Sequence, residues 1–76
     1  MAKRDEALIY RYYFYSTVAG FSYEKCLRLL EDEFYLSERA IIARLDANYE
    51  LLKEVVGRSP KVSYIKQKYP YYTWAV

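Results

Sequence analysis

The chain has 76 residues, a formal net charge of +2, one cysteine and no histidine. An internal disulfide is therefore excluded, and so is a structural zinc site, which needs about four Cys or His ligands. What remains is one small domain, residues 1–76, of a size that buries only about 60% of the surface its unfolded chain exposes.

The aromatic content is high for so small an interior: eleven Tyr, three Phe and one Trp. Tyrosine is amphipathic and common at interfaces. The rings are expected either to meet a partner or a second copy, or simply to bury an edge each and leave the hydroxyl wet. Charge is unevenly laid out, with net +1 over residues 1–20, −3 over 21–56 and +4 over 57–76. The last figure comes from Arg58, Lys61, Lys66 and Lys68 with no acid among them. This basic tail, joined by Lys3, Arg4 and Arg11, is the candidate patch for a polyanion. No apolar run approaches the ~20 residues of a membrane span. The chain opens Met-Ala-Lys-Arg-Asp-Glu, charged rather than apolar, so a soluble cytoplasmic protein without a signal peptide is expected.

Residues 5–17 form the first predicted helix. Asp5 and Glu6 suit its positive end. Leu8, Tyr12, Tyr15 and Ala19 keep helical spacing, and Ile9 and Tyr13 add a parallel row. The run from Tyr10 to Tyr15 also has high β-propensity, but it lacks polar alternation and has no second strand to pair with. Aromatics on several sides predict a helix wrapped on more than one face. Gly20 is placed to stop it.

Ser22 caps the second predicted helix, residues 23–33, with Glu24 in its first turn and Leu27, Leu30 and Phe34 on its inner side. Cys26 sits among leucines and reads as a small buried apolar residue rather than a reactive thiol. Glu31-Asp32-Glu33 places three acids at the negative end of the helix dipole and reads as a solvated edge. As a metal site it is poor, because adjacent carboxylates on a helix point in different directions. Phe34-Tyr35-Leu36 is the break.

Ser37 then caps a third helix, predicted over residues 38–56 and ended by Gly57. At about 100° per residue, Ile41, Ile42, Leu45, Tyr49, Leu52 and Val56 fall within one arc, opposite Arg39, Ala43, Asp46, Glu50 and Glu54. That stripe favours one long helix. The alternative is a break near Asp46-Ala47-Asn48, where Asp or Asn would cap a fresh one. Ser59-Pro60 opens a fourth helix, residues 60–68, with Ser at the N-cap and Pro at the first helical position. Pro70 ends it, and Tyr71-Tyr72-Thr73-Trp74 follows as an extended aromatic tail, expected to pack on the first helix of its own chain or of a second copy. The predicted core is Leu27, Leu30, Ile41, Leu45 and Leu52.

Enzyme constellations are missing. Without His there is no Ser-His or Cys-His pair, and two glycines do not make a phosphate loop. A nucleophilic Tyr in strand transfer needs clustered Arg with His or a metal to hold phosphate charge. The expectation is a non-catalytic protein without cofactor or metal.

The fold predicted is all-α, a four-helix domain. Its second and third helices, with a short break and a Ser N-cap between them, have the layout of a helix-turn-helix whose second helix enters the DNA major groove. The spacing Ser37-x-x-Ala40-Ile41-x-x-x-Leu45 resembles the recognition-helix pattern of bacterial helix-turn-helix regulators. More broadly, the charged N-terminus, Tyr10-Arg11-Tyr12-Tyr13-Phe14-Tyr15, Phe34-Tyr35-Leu36-Ser37, Ile41, and Lys68-Tyr69-Pro70 with Trp74 resemble short bacterial helix-turn-helix or transposase-like proteins linked to mobile elements. The arrangement is also similar to the Trp-repressor-like group, which includes DNA-binding domains of replication initiators and N-terminal domains of insertion-element transposases. The stretch from Leu30 to Ser37 reads as longer than a compact helix-turn-helix connection.

On this reading the partner is double-stranded DNA. Ser37 and the backbone N–H groups beside it touch phosphate, and Arg39 reaches a base edge, Arg to guanine being the commonest specific contact. Glu38 could accept from cytosine, and Ala43 stands where many such regulators place a base-reading polar side chain. Arg44 is better placed for phosphate or an intrachain carboxylate. Lys61, Lys66 and Lys68 add phosphate contacts. The other reading is an interaction module whose Tyr and Trp surface docks a protein partner or forms a homodimer.

Overall fold

The computed structural model describes residues 3–74, and among them every regular element is helical. α1 (Lys3–Tyr13) runs without a break into a π-helical turn (Phe14–Val18), followed by α2 (Tyr23–Phe34), α3 (Glu38–Ala47), α4 (Tyr49–Arg58) and α5 (Val62–Lys68). α1 packs on both α2 and α4; α2 packs on α3, and α3 on α4.

α1 is the centre. Of residues 7–15 only Tyr12 is not buried, and Leu8, Ile9, Tyr10 and Phe14 are at most 1% exposed. A helix apolar on all sides has to be enclosed on all sides, and here α2, α4, α5 and the aromatic tail supply the walls. The core therefore extends well beyond the five residues expected from sequence. Leu27, Leu30, Ile41 and Leu45 are in it, Leu52 is half-buried, and α1 contributes its largest share.

The first helix does not end as a regular α-helix. Ser16 Oγ donates to the Tyr12 carbonyl at 2.8 Å, and Ala19 N–H reaches back five residues to the Phe14 carbonyl at 2.9 Å. A serine bonding its own helix backbone loosens the α ladder, and the five-residue span defines the wider π turn. Gly20, at φ +73°, then reverses the chain as expected.

The number of α-helices among the described residues is five, not four, because the predicted third helix is two. Asn48, at φ −112° and ψ 27°, separates α3 from α4. Its amide Nδ2 donates to the Arg44 carbonyl at 2.8 Å, the same oxygen that accepts its backbone N–H at 3.1 Å. Asn48 thus closes α3 rather than capping α4 with its side chain. Val55 is fully buried, whereas Val56 and Tyr49, placed in the core arc from the sequence, are 47% and 57% exposed and lie at the edge of the buried side.

Two further boundaries differ from expectation. Gly57 lies inside α4, which ends at Arg58 with Ser59 in the left-handed region at φ 47°. Ser59 is therefore the C-cap of α4 and not an N-cap, and α5 begins at Val62 after Lys61. The expected arrival of the aromatic tail on α1 is met within the same chain. Trp74 packs edge-on against Phe14 at 5.4 Å and Tyr72 stacks on Phe34 at 5.8 Å. Trp74 Nε1 donates to the Tyr69 carbonyl at 2.7 Å, which fixes the turn around Pro70.

Candidate nucleic-acid interface

α2 runs through Phe34, so only residues 35–37 separate it from α3. The connection is short, correcting the longer gap read from sequence. Tyr35 takes the left-handed conformation at φ 53° that usually falls to glycine, and its ring is 90% exposed. Ser37 Oγ accepts the Ala40 N–H at 3.2 Å and starts α3. Ile41 and Leu45 point into the core, anchoring α3 and leaving Glu38, Arg39, Ala43, Asp46 and Ala47 exposed.

The candidate residues fall into three groups. Ser37, Glu38, Arg39 and Ala43 share the exposed side of α3 and its first turn. Glu38, Arg39 and Ile42 line a shallow depression there, and a second depression between α2 and α3 is lined by Glu24, Leu27, Arg28 and Glu38. Arg44 stands apart: its guanidinium pairs with Asp5 of α1 at 2.5 Å. This is the intrachain carboxylate that the sequence offered as one of its two partners.

Lys61, Lys66 and Lys68 belong to α5 and its start. Lys61 and Lys66 are exposed. Lys68 is engaged with α1, its ammonium 3.3 Å from Glu6 and 5.3 Å from the centre of the Tyr10 ring. Partial burial opposes its charge, but the Tyr10 and Glu6 oxygens outweigh that and raise its pKa. Tyr69 donates its hydroxyl to the same Glu6 carboxylate. Burial first, and then the neighbouring Glu6, pushes the Tyr69 phenol far up.

Two of the cations grouped with the basic tail are used inside the protein. Arg11 is 2% exposed and is no part of a surface patch. Its guanidinium holds Glu33 through two hydrogen bonds and donates to the Tyr15 hydroxyl and the Thr73 carbonyl. It also lies 4.7 Å from the centre of the Trp74 ring. Glu33 is accordingly turned inward, and the acidic run at the end of α2 is not wholly a solvated edge. Arg4 donates to the Phe34 carbonyl, one of the orphan acceptors at the end of α2. The side chain of Lys3 lies outside the described residues.

Sequence reasoning passed over Arg28 and counted Arg58 only as part of the basic tail. Arg28 is exposed beside Glu38, on the edge of α2 that faces the start of α3. Its outward direction follows from the wheel, where it lies about 145° from the middle of the buried arc. Arg58 donates to the Tyr10 hydroxyl at 3.1 Å and pairs with Glu54 at 3.6 Å. The Tyr10 oxygen raises its pKa above the usual arginine value.

Cys26 is fully buried and burial pushes its thiol up, away from the reactive thiolate. No group of three metal-ligating side chains occurs among the described residues, and no helix there is long and apolar enough to cross a membrane. Comparison with family models, with curated proteins and with solved structures finds no match to this chain.

Proposed function

We propose that the chain is a non-catalytic duplex-DNA-binding protein in which α2 and α3 act as a helix-turn-helix. The observation that carries this reading is the pairing of a three-residue connection with a capped second helix. The core holds that helix by Ile41 and Leu45 and leaves its first turn outward. In a helix-turn-helix, the N-terminal residues of the second helix contact base edges while the first helix crosses the backbone. Arg39 is then the base-reading cation, with Glu38 beside it and Ala43 allowing close approach. Ser37 meets phosphate, and Arg28 is placed on the crossing helix to do the same. Lys61 and Lys66 supply sequence-independent charge. Arg44 contributes by orienting α3 through Asp5, and Lys68 by holding α5 to α1. The likeness to mobile-element and transcription-associated helix-turn-helix proteins points to the same kind of partner.

Fluorescence anisotropy on mixed-sequence and selected duplexes at two salt concentrations tests the reading. Phosphate binding falls steeply with salt. Arg39→Ala is expected to cost ~1–3 kcal/mol on the selected duplex and to relax its sequence preference, while Lys66→Ala weakens all duplexes alike and lowers the salt slope by ~1. A parent chain that binds no duplex at low salt refutes the proposal.

A further inference from the structure

Tyr35 carries a backbone strain that its own side chain does not offset. Two non-glycine residues among the described ones sit at positive φ, Tyr35 at 53° and Ser59 at 47°. Ser59 is compensated locally, its Oγ donating to the Val56 carbonyl at 3.1 Å. Tyr35 is not. Its ring is 90% exposed, and among the described residues its hydroxyl meets no hydrogen-bond partner and its ring no other ring. Glycine takes this conformation without a Cβ penalty and is the usual residue where a helix ends this way. The chain needs the left-handed turn between α2 and α3, but it does not need a phenol there. A bulky residue held in this region while the fold gains nothing from its side chain points to a contact outside the fold.

We propose that the Tyr35 hydroxyl donates a hydrogen bond to a backbone phosphate of duplex DNA, a contact that rests on the helix-turn-helix reading above. In that arrangement the first helix crosses the sugar-phosphate backbone and the second enters the groove. The turn that joins them lies over the backbone. Tyr35 stands two residues before Ser37, within about 7 Å along the chain, so the two hydroxyls are set to share one stretch of that backbone. Phe34, which is buried, and Leu36, which is half-buried, hold the Tyr35 backbone from either side. A phenol is a neutral donor, and donors of this kind to phosphate fix register without reading sequence. The negative end of α2 is partly neutralised beside it: Arg11 holds Glu33, and Arg4 donates to the Phe34 carbonyl. Asp32 remains exposed, so a hydrogen bond rather than net charge holds the phosphate at this turn.

Fluorescence anisotropy of the full chain on mixed-sequence and selected duplexes is the test, with urea unfolding as the control for folding. Tyr35→Gly is expected to keep or raise the urea midpoint, since glycine relieves the strain, and to weaken duplex binding about tenfold. Tyr35→Phe keeps the ring, loses only the hydroxyl, and is expected to weaken binding by the same factor. Both losses should be equal on every duplex and leave the salt slope unchanged, because a neutral donor releases no counterion. That pattern separates Tyr35 from Arg39, whose loss relaxes sequence preference, and from Lys66, whose loss lowers the slope. A parent that binds duplex, with Tyr35→Phe at parental affinity, overturns the inference and leaves the helix-turn-helix reading standing. A lower urea midpoint for Tyr35→Gly also overturns it, since the ring would then serve the fold. A parent that binds no duplex overturns both.

Discussion

Arg11 and Glu33 form a two-pronged ion pair between α1 and α2, Nε to Oε1 at 3.1 Å and Nη2 to Oε2 at 2.5 Å. The Arg11 side chain is 3% exposed and that of Glu33 is 23% exposed, so the two ends of the pair differ in what they can do alone. Glu33 can turn to water; Arg11 cannot. Glu33→Ala therefore strands a buried cation and is expected to cost ~3–5 kcal/mol. Arg11→Met removes the charge, keeps most of the stem volume and should cost less. Urea unfolding of the two variants gives the order. The reverse order would mean that Arg11 acts mainly by tying down Thr73 and packing against the rings.

The tail is held by the same guanidinium. Trp74 is 8% exposed and packs on Phe14, Tyr72 and Arg11. Trp74→Ala is expected to cost ~3–5 kcal/mol, the range for a buried large aromatic. As the single tryptophan of the chain, Trp74 also reports its own docking. Its fluorescence change on unfolding should coincide with loss of helical circular dichroism. An earlier fluorescence transition would show that residues 70–74 come off before the helices melt.

Alkaline pH is expected to destabilise the protein. Burial pushes the Tyr15 phenol up to about 12, with Arg11 pulling it down and Glu33 raising it, and burial likewise raises Tyr12 and Tyr69. The folded state holds these protons more tightly than the unfolded state, whose phenols titrate near 10. The contribution is complete below pH ~10 and is lost as pH rises from there through the folded values. Urea midpoints should fall above pH ~10. Tyr15→Phe, which has no phenol to ionise, should flatten that fall. An equal fall in the variant assigns the effect to other groups.

The phase of α4 can be tested by comparing two valine- and leucine-sized truncations. Leu45 is 7% exposed, and Leu45→Ala is expected to cost ~2–5 kcal/mol. Val56, on the same arc of an unbroken wheel, is 47% exposed, and Val56→Ala should cost under ~0.5 kcal/mol. Similar large losses at both sites would mean that α4 is rotated to bury Val56.

The sequence by itself determined the all-α class and most helix starts and stops, because these rest on local chemistry. Ser22 and Ser37 each accept an N–H from the first turn of the helix they precede, and Gly20 takes the positive φ that its place predicts. Periodicity likewise placed Leu27, Leu30, Ile41 and Leu45 inside. It also put Arg39 and Ala43 together on the exposed side of α3, with Ser37 and Glu38 at its start, since a helix wheel needs no knowledge of the rest of the chain.

Only the tertiary structure decided which charges remain free and which apolar faces remain open. Arg11, Arg44 and Lys68 look alike in the sequence as surface cations, yet each is paired with a carboxylate 22, 39 or 62 residues away in the chain. No local pattern encodes such a distance. The division at Asn48 was open from the sequence as the alternative to one long helix, and the choice depends on a side-chain amide finding the Arg44 carbonyl. The structure also turns Val55 inward and leaves Val56 exposed. The central position of α1 follows from burial on every side, which becomes definite only when helices from later in the chain, and the aromatic tail after them, have closed around it.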